Sequence, residues 1–369
     1  MDFRLTPVAF AALPGWEDDD PSSLFAVMAR CLKHMRTVKR YRTGSLGISS
    51  EALEEIFVEA ATYRSGSASE ARAFFEARFQ PFLISRRDGE PGFVTAFYEP
   101  EVEVSAEPDA IWCYPFYRRP EDLVDLDDSN RPPNMDVSYA FGRLEGSVID
   151  FFPDRQAVDQ GFLQGKGLEI AWAKSRVDVF FAHIQGAARL CYPDGTIKRI
   201  TYAAKAGHPF TGIGRHLVDL GEIPAEQISM GTVRQWLADH PERQNEILWQ
   251  NRSYIFFREV AVADAGLGPI AAAKVQLEPM RSIAVDRLIH TFASPFYIHS
   301  DSLRHLTGGK PFQRLMMALD TGTAITGPAR GDIFTGSGEA AGNLAGNVKN
   351  HADFYIFIPK VLAAEFRDA

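Results

Sequence analysis

The chain has 369 residues, enough for two domains with cores of their own. A hydrophobic share of 46%, an aromatic share of 12% and 27 phenylalanines exclude a disordered polymer. The formal charge of −9 excludes a nucleic-acid binder, which needs clustered lysine and arginine; the basic stretch Arg30–Arg42 reads as the solvated face of a helix.

Residues 1–20 read as an extended arm ending in the acidic turn Glu17–Asp20. From Pro21 a helix is expected, with Leu24, Val27, Met28, Cys31, Leu32 and Met35 spaced three and four apart on one buried face. A second helix starts at Ser50 as its N-cap and buries Leu53, Ile56, Phe57 and Ala60. A third, Glu70–Phe79, follows the polar turn Ser65–Ser69 and stops before Pro81.

At Gly92 the pattern changes to the alternating, β-branched and aromatic FVTAFYEPEVEVS, read as one strand running past Pro100. IWCYPFYRRP is another strand, and the acidic Pro120–Pro133 is a surface loop. Strands are expected at Val177–Ile184, Ala188–Cys191 and Lys198–Tyr202, with His183 a hydrogen-bonded strand residue. Helices follow at Ile213–Leu220, closed by Gly221, from Ser229 to before Pro241, and at Asn245–Trp249. Tyr254–Val260 returns to strand, and strands with glycine- and proline-rich turns dominate beyond it. The order gives an α+β, mainly β fold. No apolar run approaches the ~18 residues of a membrane span. The opening MDFRLTPVAFAALPGW carries no basic n-region, no apolar h-region and no acylation cysteine. Cys31, Cys113 and Cys191 lie far apart, so no disulfide framework or zinc spacing follows, and each is expected in the core.

Between the apolar strands Leu315–Leu319 and Phe354–Ile358 lies DTGTAITGPARGDIFTGSGEAAGNLAGNVK, residues 320–349, with two aspartates, one glutamate and seven glycines. So much backbone freedom between buried strands marks a shaped site. Leu319-Asp320-Thr321-Gly322-Thr323 matches the aspartic-protease signature, but that chemistry needs two carboxylates sharing a proton, and no second Asp-Thr/Ser-Gly occurs. Gly336-Ser337-Gly338 with Gly342 follows a strand of only three residues without an acidic partner at ribose-binding spacing, so it reads as a turn into a helix, Glu339–Val348. The histidines form no HExxH or i,i+4 pair, and no Gly-x-Ser-x-Gly elbow is present, so no metal or other cofactor is called for. What remains is carboxylate chemistry on a glycosidic bond, with Asp320 and Asp332 weighed against plain turn or cap roles.

Seven blocks in one order carry a resemblance: FVTAFYEPEVE, YPFYRRP, VDVFFAHIQGAARLCYPDG, ITYAAKAGHPFTGIGRHLVDLGEIP, LWQNRSYIFFRE, RSIAVD and the stretch from Met316 to Lys360. Along nearly its whole length the chain resembles the membrane-bound lytic murein transglycosylase A family. The resemblance implies a double-ψ β-barrel domain with N-terminal helices, formed by residues 1–104 and 262–369. A smaller β-rich domain, residues 105–261, would be inserted, with a substrate groove between the two. It also implies cleavage of the β-1,4 bond between N-acetylmuramic acid and N-acetylglucosamine of peptidoglycan, leaving 1,6-anhydro ends. The alternatives are a two-carboxylate muramidase and a non-catalytic peptidoglycan-binding module.

The family's single catalytic aspartate corresponds to Asp332 in Gly331-Asp332-Ile333-Phe334, with Asp320 as its companion. Thr95, Tyr98, Glu99, Gln185, Asp286 and Gly336 are the implied substrate contacts. Gln185-Gly186-Ala187-Ala188 departs from the family's Gln-Gly-Ser-Gly, and Thr95-Ala96-Phe97-Tyr98 from its Thr-Gly-Tyr-Tyr. A monomer acting on glycan strands in the cell envelope, without nucleic acid and without an integral membrane span, is the expected setting.

Overall fold

The computed structural model describes residues 3–63, 66–261 and 264–366. Two compact units form. One takes the residues up to Tyr98, Gly266–Gly336 and Ala340 onward; the other takes Glu99–Ala265 with Ser337–Glu339. These divisions differ from the expected boundaries at 104 and 262, the latter lying, like Ser65 of the expected turn, outside the described residues.

The first unit holds an eight-stranded sheet. Its spatial order is Phe3–Pro7, Phe79–Arg86, Lys349–Pro359, Pro295–Ser300, Phe312–Asp320, Ser282–Ala284, Arg330–Ser337 and Gly92–Glu99. The last strand also pairs with Lys349–Pro359 through Thr95 and Lys349, so six of the eight form a closed ring. Closure leaves those six without a free edge. Phe296, Ile298, Leu315, Met317, Ile333, Phe354 and Ile356 from the ring are buried in one core with the helices.

Helix Leu24–Thr37 buries the expected face Leu24, Val27, Met28, Cys31, Leu32 and Met35. Helix Ser50–Thr62 is capped one residue earlier than expected: the Ser49 hydroxyl accepts the Ala52 N–H at 3.3 Å, while Ser50 is already helical and buried. Helix Ala68–Arg78 is capped by Ser67. The arm read as extended is a short strand, Phe3–Pro7, followed by two 3-10 turns. It is tied down at Asp19, whose carboxylate accepts both Arg281 guanidinium nitrogens at 2.8 and 3.0 Å and the Leu315 N–H at 2.8 Å.

In the second unit a six-stranded sheet runs in the order Ile255–Val260, Ile197–Lys205, Ala187–Cys191, Glu101–Ser105, Glu169–Ala173 and Tyr114–Tyr117. An isolated bridge between Arg118 and Phe257 links its two ends. The expected continuous strand therefore breaks at Pro100, which has no N–H to donate, into Gly92–Glu99 and Glu101–Ser105 in different sheets.

The stretch read as a strand at Val177–Ile184 is a helix, Arg176–Gln185, and His183 is a helical residue. Ser175 caps its start by accepting the Asp178 N–H, and Gly186 ends it at φ 73°. Within the expected loop Pro120–Pro133, Leu123–Asp125 is a strand with Leu123 buried. Helix Met230–Asp239 carries a reciprocal capping box between Ser229 and Thr232. Cys31 is buried, Cys191 is half-buried and Cys113 is exposed, so the expected core role holds only for Cys31.

Candidate active site

Asp332 sits in Arg330–Ser337, an eight-residue strand where only three residues were expected before the turn. Asp332 pairs with Ala284 in the antiparallel ladder on one side. Gly331 precedes it because a Cβ there would lie 2.5 Å from Ile283 Cδ1 and 3.0 Å from Phe354 Cε1. The Thr95 hydroxyl donates to Asp332 Oδ1, and Arg330 Nη2 donates to the Thr95 oxygen at 2.7 Å. Burial pushes the Asp332 carboxyl above the ordinary aspartate value, against opposing pulls from the Thr95 hydroxyl and the Arg330 charge. Among the described residues nothing donates to Asp332 Oδ2. The carboxyl is thus anchored at one oxygen and open at the other.

Asp320 ends the neighbouring strand Phe312–Asp320 and is likewise the ladder partner of Ala284, where the register shifts. It accepts the Ala272 N–H at 3.1 Å and the backbone N–H of Thr321. Burial pushes its pKa up to about 6, and the Asp332 charge adds to the rise. Asp286 is committed at both oxygens: Oδ1 accepts the Leu288 N–H at 3.0 Å and Oδ2 the Gly327 N–H at 2.8 Å. That second bond ties Asp286 to the loop just before the Asp332 strand. Of the three aspartates, Asp320 and Asp286 hold backbone.

Thr95 and Asp332, 237 positions apart, are the pair that folding brings into direct contact. Tyr98 is buried, and its ring lies against the backbone of Gly342 so closely that a Cβ there would sit 2.8 Å away. Gly336 lies near the end of the Asp332 strand at φ 127°, a conformation that glycine tolerates and other residues avoid. Glu99 and Gln185 belong to the second unit. Gln185 ends helix Arg176–Gln185 and is half-buried. Glu99 is fully buried, with three donors on Oε2 and an ion-pair contact at Oε1. Arg189 Nε approaches its Oε2 at 2.9 Å, Arg199 Nη2 the same oxygen at 2.9 Å, Arg199 Nε the other at 2.6 Å, and the Ser337 hydroxyl donates at 2.7 Å. A carboxylate so enclosed holds protein together.

Arg330 was missed in the sequence. It precedes Asp332 by two positions on one strand, which puts both side chains on the same sheet face, and that alternation is a readable signal. Among the described residues no group of three His, Cys, Asp or Glu side chains is placed to hold a metal ion.

Comparison with known proteins bears on this arrangement. The MltA specific insert domain matches residues 93–258, and the 3D domain matches residues 281–358, the segment that carries Asp286, Asp320 and Asp332. A crystal structure of a membrane-bound lytic murein transglycosylase from Agrobacterium tumefaciens is similar over 99% of this chain and 100% of that one, with 59% identity and a TM-score of 0.94. The structure of MltA from Neisseria gonorrhoeae in a monoclinic form is 30% identical with a TM-score of 0.79, covering 96% of this chain and 92% of that one. The curated membrane-bound lytic murein transglycosylase A of Vibrio cholerae is 28% identical over 69% of this chain, and the match spans 62% of that relative's length. With both domain types matched in sequence and a 59% identical relative covered from end to end, the chain belongs to the membrane-bound lytic murein transglycosylase A family.

Proposed function

We propose that this chain is a peptidoglycan lytic transglycosylase in which Asp332 is both the acid and the base. The observation that carries the reading is the half-open state of Asp332: Oδ1 bound by Thr95, Oδ2 without a protein partner among the described residues, and a carboxyl pushed toward its protonated form by burial. Protonated Asp332 gives its proton to the oxygen between N-acetylmuramic acid and N-acetylglucosamine as the bond to C1 breaks. The carboxylate left behind takes the proton from the muramic acid's own C6 hydroxyl as that oxygen closes on C1, leaving a 1,6-anhydro ring. No water enters, so one carboxyl serves both steps. Asp320 and Asp286, spent on backbone donors, support its surroundings.

The closed ring of six strands supports reading the first unit as a double-ψ β-barrel. The relatives' membrane-bound, murein-directed names support a place in the cell envelope. Among the described residues no helix is long and apolar enough to cross a membrane.

Incubation with purified peptidoglycan tests the reading. The wild-type protein lowers the turbidity of the suspension, while Asp332→Asn co-sediments with the glycan and leaves turbidity unchanged. A second reading, a two-carboxylate hydrolase, draws on one observation: Asp320, pushed up to about 6, is electrostatically coupled to Asp332.

A further inference from the structure

Resting on Asp332 as the acid, we propose that Arg330 works through Thr95 to confine the acid's proton to Oδ2, making it a positioning residue for the proton transfer. Thr95 Oγ1 has one hydrogen and two lone pairs. Arg330 Nη2, 2.7 Å away, donates into one of those lone pairs and can accept nothing in return. The hydroxyl hydrogen is therefore free to point elsewhere, and its acceptor is Asp332 Oδ1.

A neutral carboxyl carrying its hydrogen on Oδ1 would set two hydrogens head to head. The proton goes to Oδ2, the oxygen without a protein partner among the described residues and the one that a glycosidic oxygen can reach. Arg330 is itself fixed: Nη1 donates to the Gly331 carbonyl, and its guanidinium lies 5.4 Å from the Phe93 ring centroid. A planar, permanently charged fork does this where a lysine would offer one movable point.

In the reaction the Oδ2–H bond breaks as the hydrogen joins the leaving oxygen, and the electron pair of the C1–O bond stays with that oxygen. The hydrogen of the C6 hydroxyl then returns to the carboxylate. Thr95 and Arg330 exchange no proton in either step; they fix which oxygen gives it.

Charged and titratable groups around Asp332 come from each neighbouring element. Arg330 lies on its own strand, and Asp320 lies across Ala284 with Lys274 beyond it. Lys349 and His351 stand opposite Thr95 and Phe93. Of these, Arg330 reaches the Thr95 hydroxyl.

The test is a double-mutant cycle of Arg330→Met and Thr95→Val with peptidoglycan as substrate, run across pH beside Asp332→Asn and Thr95→Ser. Each single change should lower kcat on the order of ten- to a hundredfold with little effect on KM. Each should also move the alkaline limb of activity to higher pH, because the carboxylate loses a stabilising partner. Adding Arg330→Met to Thr95→Val should cost less than about twofold more, since the two act on one hydroxyl. Thr95→Ser should retain wild-type kcat and pH profile. Additive losses, or losses with an unmoved alkaline limb, overturn the inference while an inert Asp332→Asn leaves the acid in place. An active Asp332→Asn overturns both. If circular dichroism shows Arg330→Met unfolded, Arg330→Lys, which keeps the cation and loses the fork, replaces it in the same cycle.

Discussion

Asp320 and Asp332 are joined through a single residue: Ala284 is the ladder partner of both, parallel to one and antiparallel to the other. Two strand spacings put their Cα atoms about 9–10 Å apart. Asp320 feels the arrangement as a pKa pushed up from 3.8 to about 6, by burial first and by the Asp332 charge in addition. A raised carboxyl binds its proton more readily folded than unfolded. Its ionisation therefore opposes folding above about pH 6, and the opposition fades as pH falls toward 4. Asp320→Asn should accordingly be more favourable to stability, relative to wild type, at pH 7.5 than at pH 4.5, by about 2 kcal/mol. Urea unfolding at both pH values measures it; an unchanged wild-type–mutant difference would mean that Asp320 is not the buried, raised group described.

Asp332→Asn keeps the side chain's shape and an acceptor for Thr95 but removes the transferable proton. Activity should fall by at least about a hundredfold, within the range that general acid–base groups contribute. Glycan binding by co-sedimentation should persist. Retention of a tenth or more of the wild-type rate is incompatible with Asp332 as the proton carrier.

Glu99→Gln tests the reassignment of Glu99 from glycan contact to structural anchor. The change removes the carboxylate that Arg189 and the fully buried Arg199 share, while Arg189 keeps its contact with Glu101. Breaking a buried ion pair by removing one partner costs about 3–5 kcal/mol. A clearly lower melting temperature is expected; an intact melting curve with weakened glycan binding would restore the substrate role.

Gly342→Ala should destabilise by about 1–3 kcal/mol, because its Cβ would enter the space of the buried Tyr98 ring. Thermal melting reads this directly. A neutral outcome would show that the ring can move aside, and that Tyr98 is less tightly packed than its burial implies.

The helical first quarter was legible because its amphipathic spacing and serine caps are local signals. Arg176–Gln185 was not, for a physical reason. Val179 and Ala182 pack into one cluster while Val177, Phe180 and Phe181 pack into another, so the helix is apolar on two sides and lacks a single stripe. Its β-branched and aromatic residues then imitate a strand, although Ser175 and Gly186 mark its ends. Asp332 could be singled out by its glycine-rich setting and named by resemblance. Its contact with Thr95 spans 237 positions, and no spacing rule reaches that far. Glu99 was named as a glycan contact through the resemblance alone; the two arginines that enclose it come from distant strands, which no local pattern announces.

The central claim, that one carboxyl performs both proton transfers without water, is tested most directly by mass spectrometry of a peptidoglycan digest made in heavy-oxygen water. Intramolecular attack by the C6 hydroxyl predicts muropeptides with a 1,6-anhydro ring, each one water lighter than the hydrolysis product and free of label at C1. Heavy oxygen at C1 of the muramic acid would show that water attacked, contradicting the single-carboxyl account in favour of a hydrolase that uses Asp332 with Asp320.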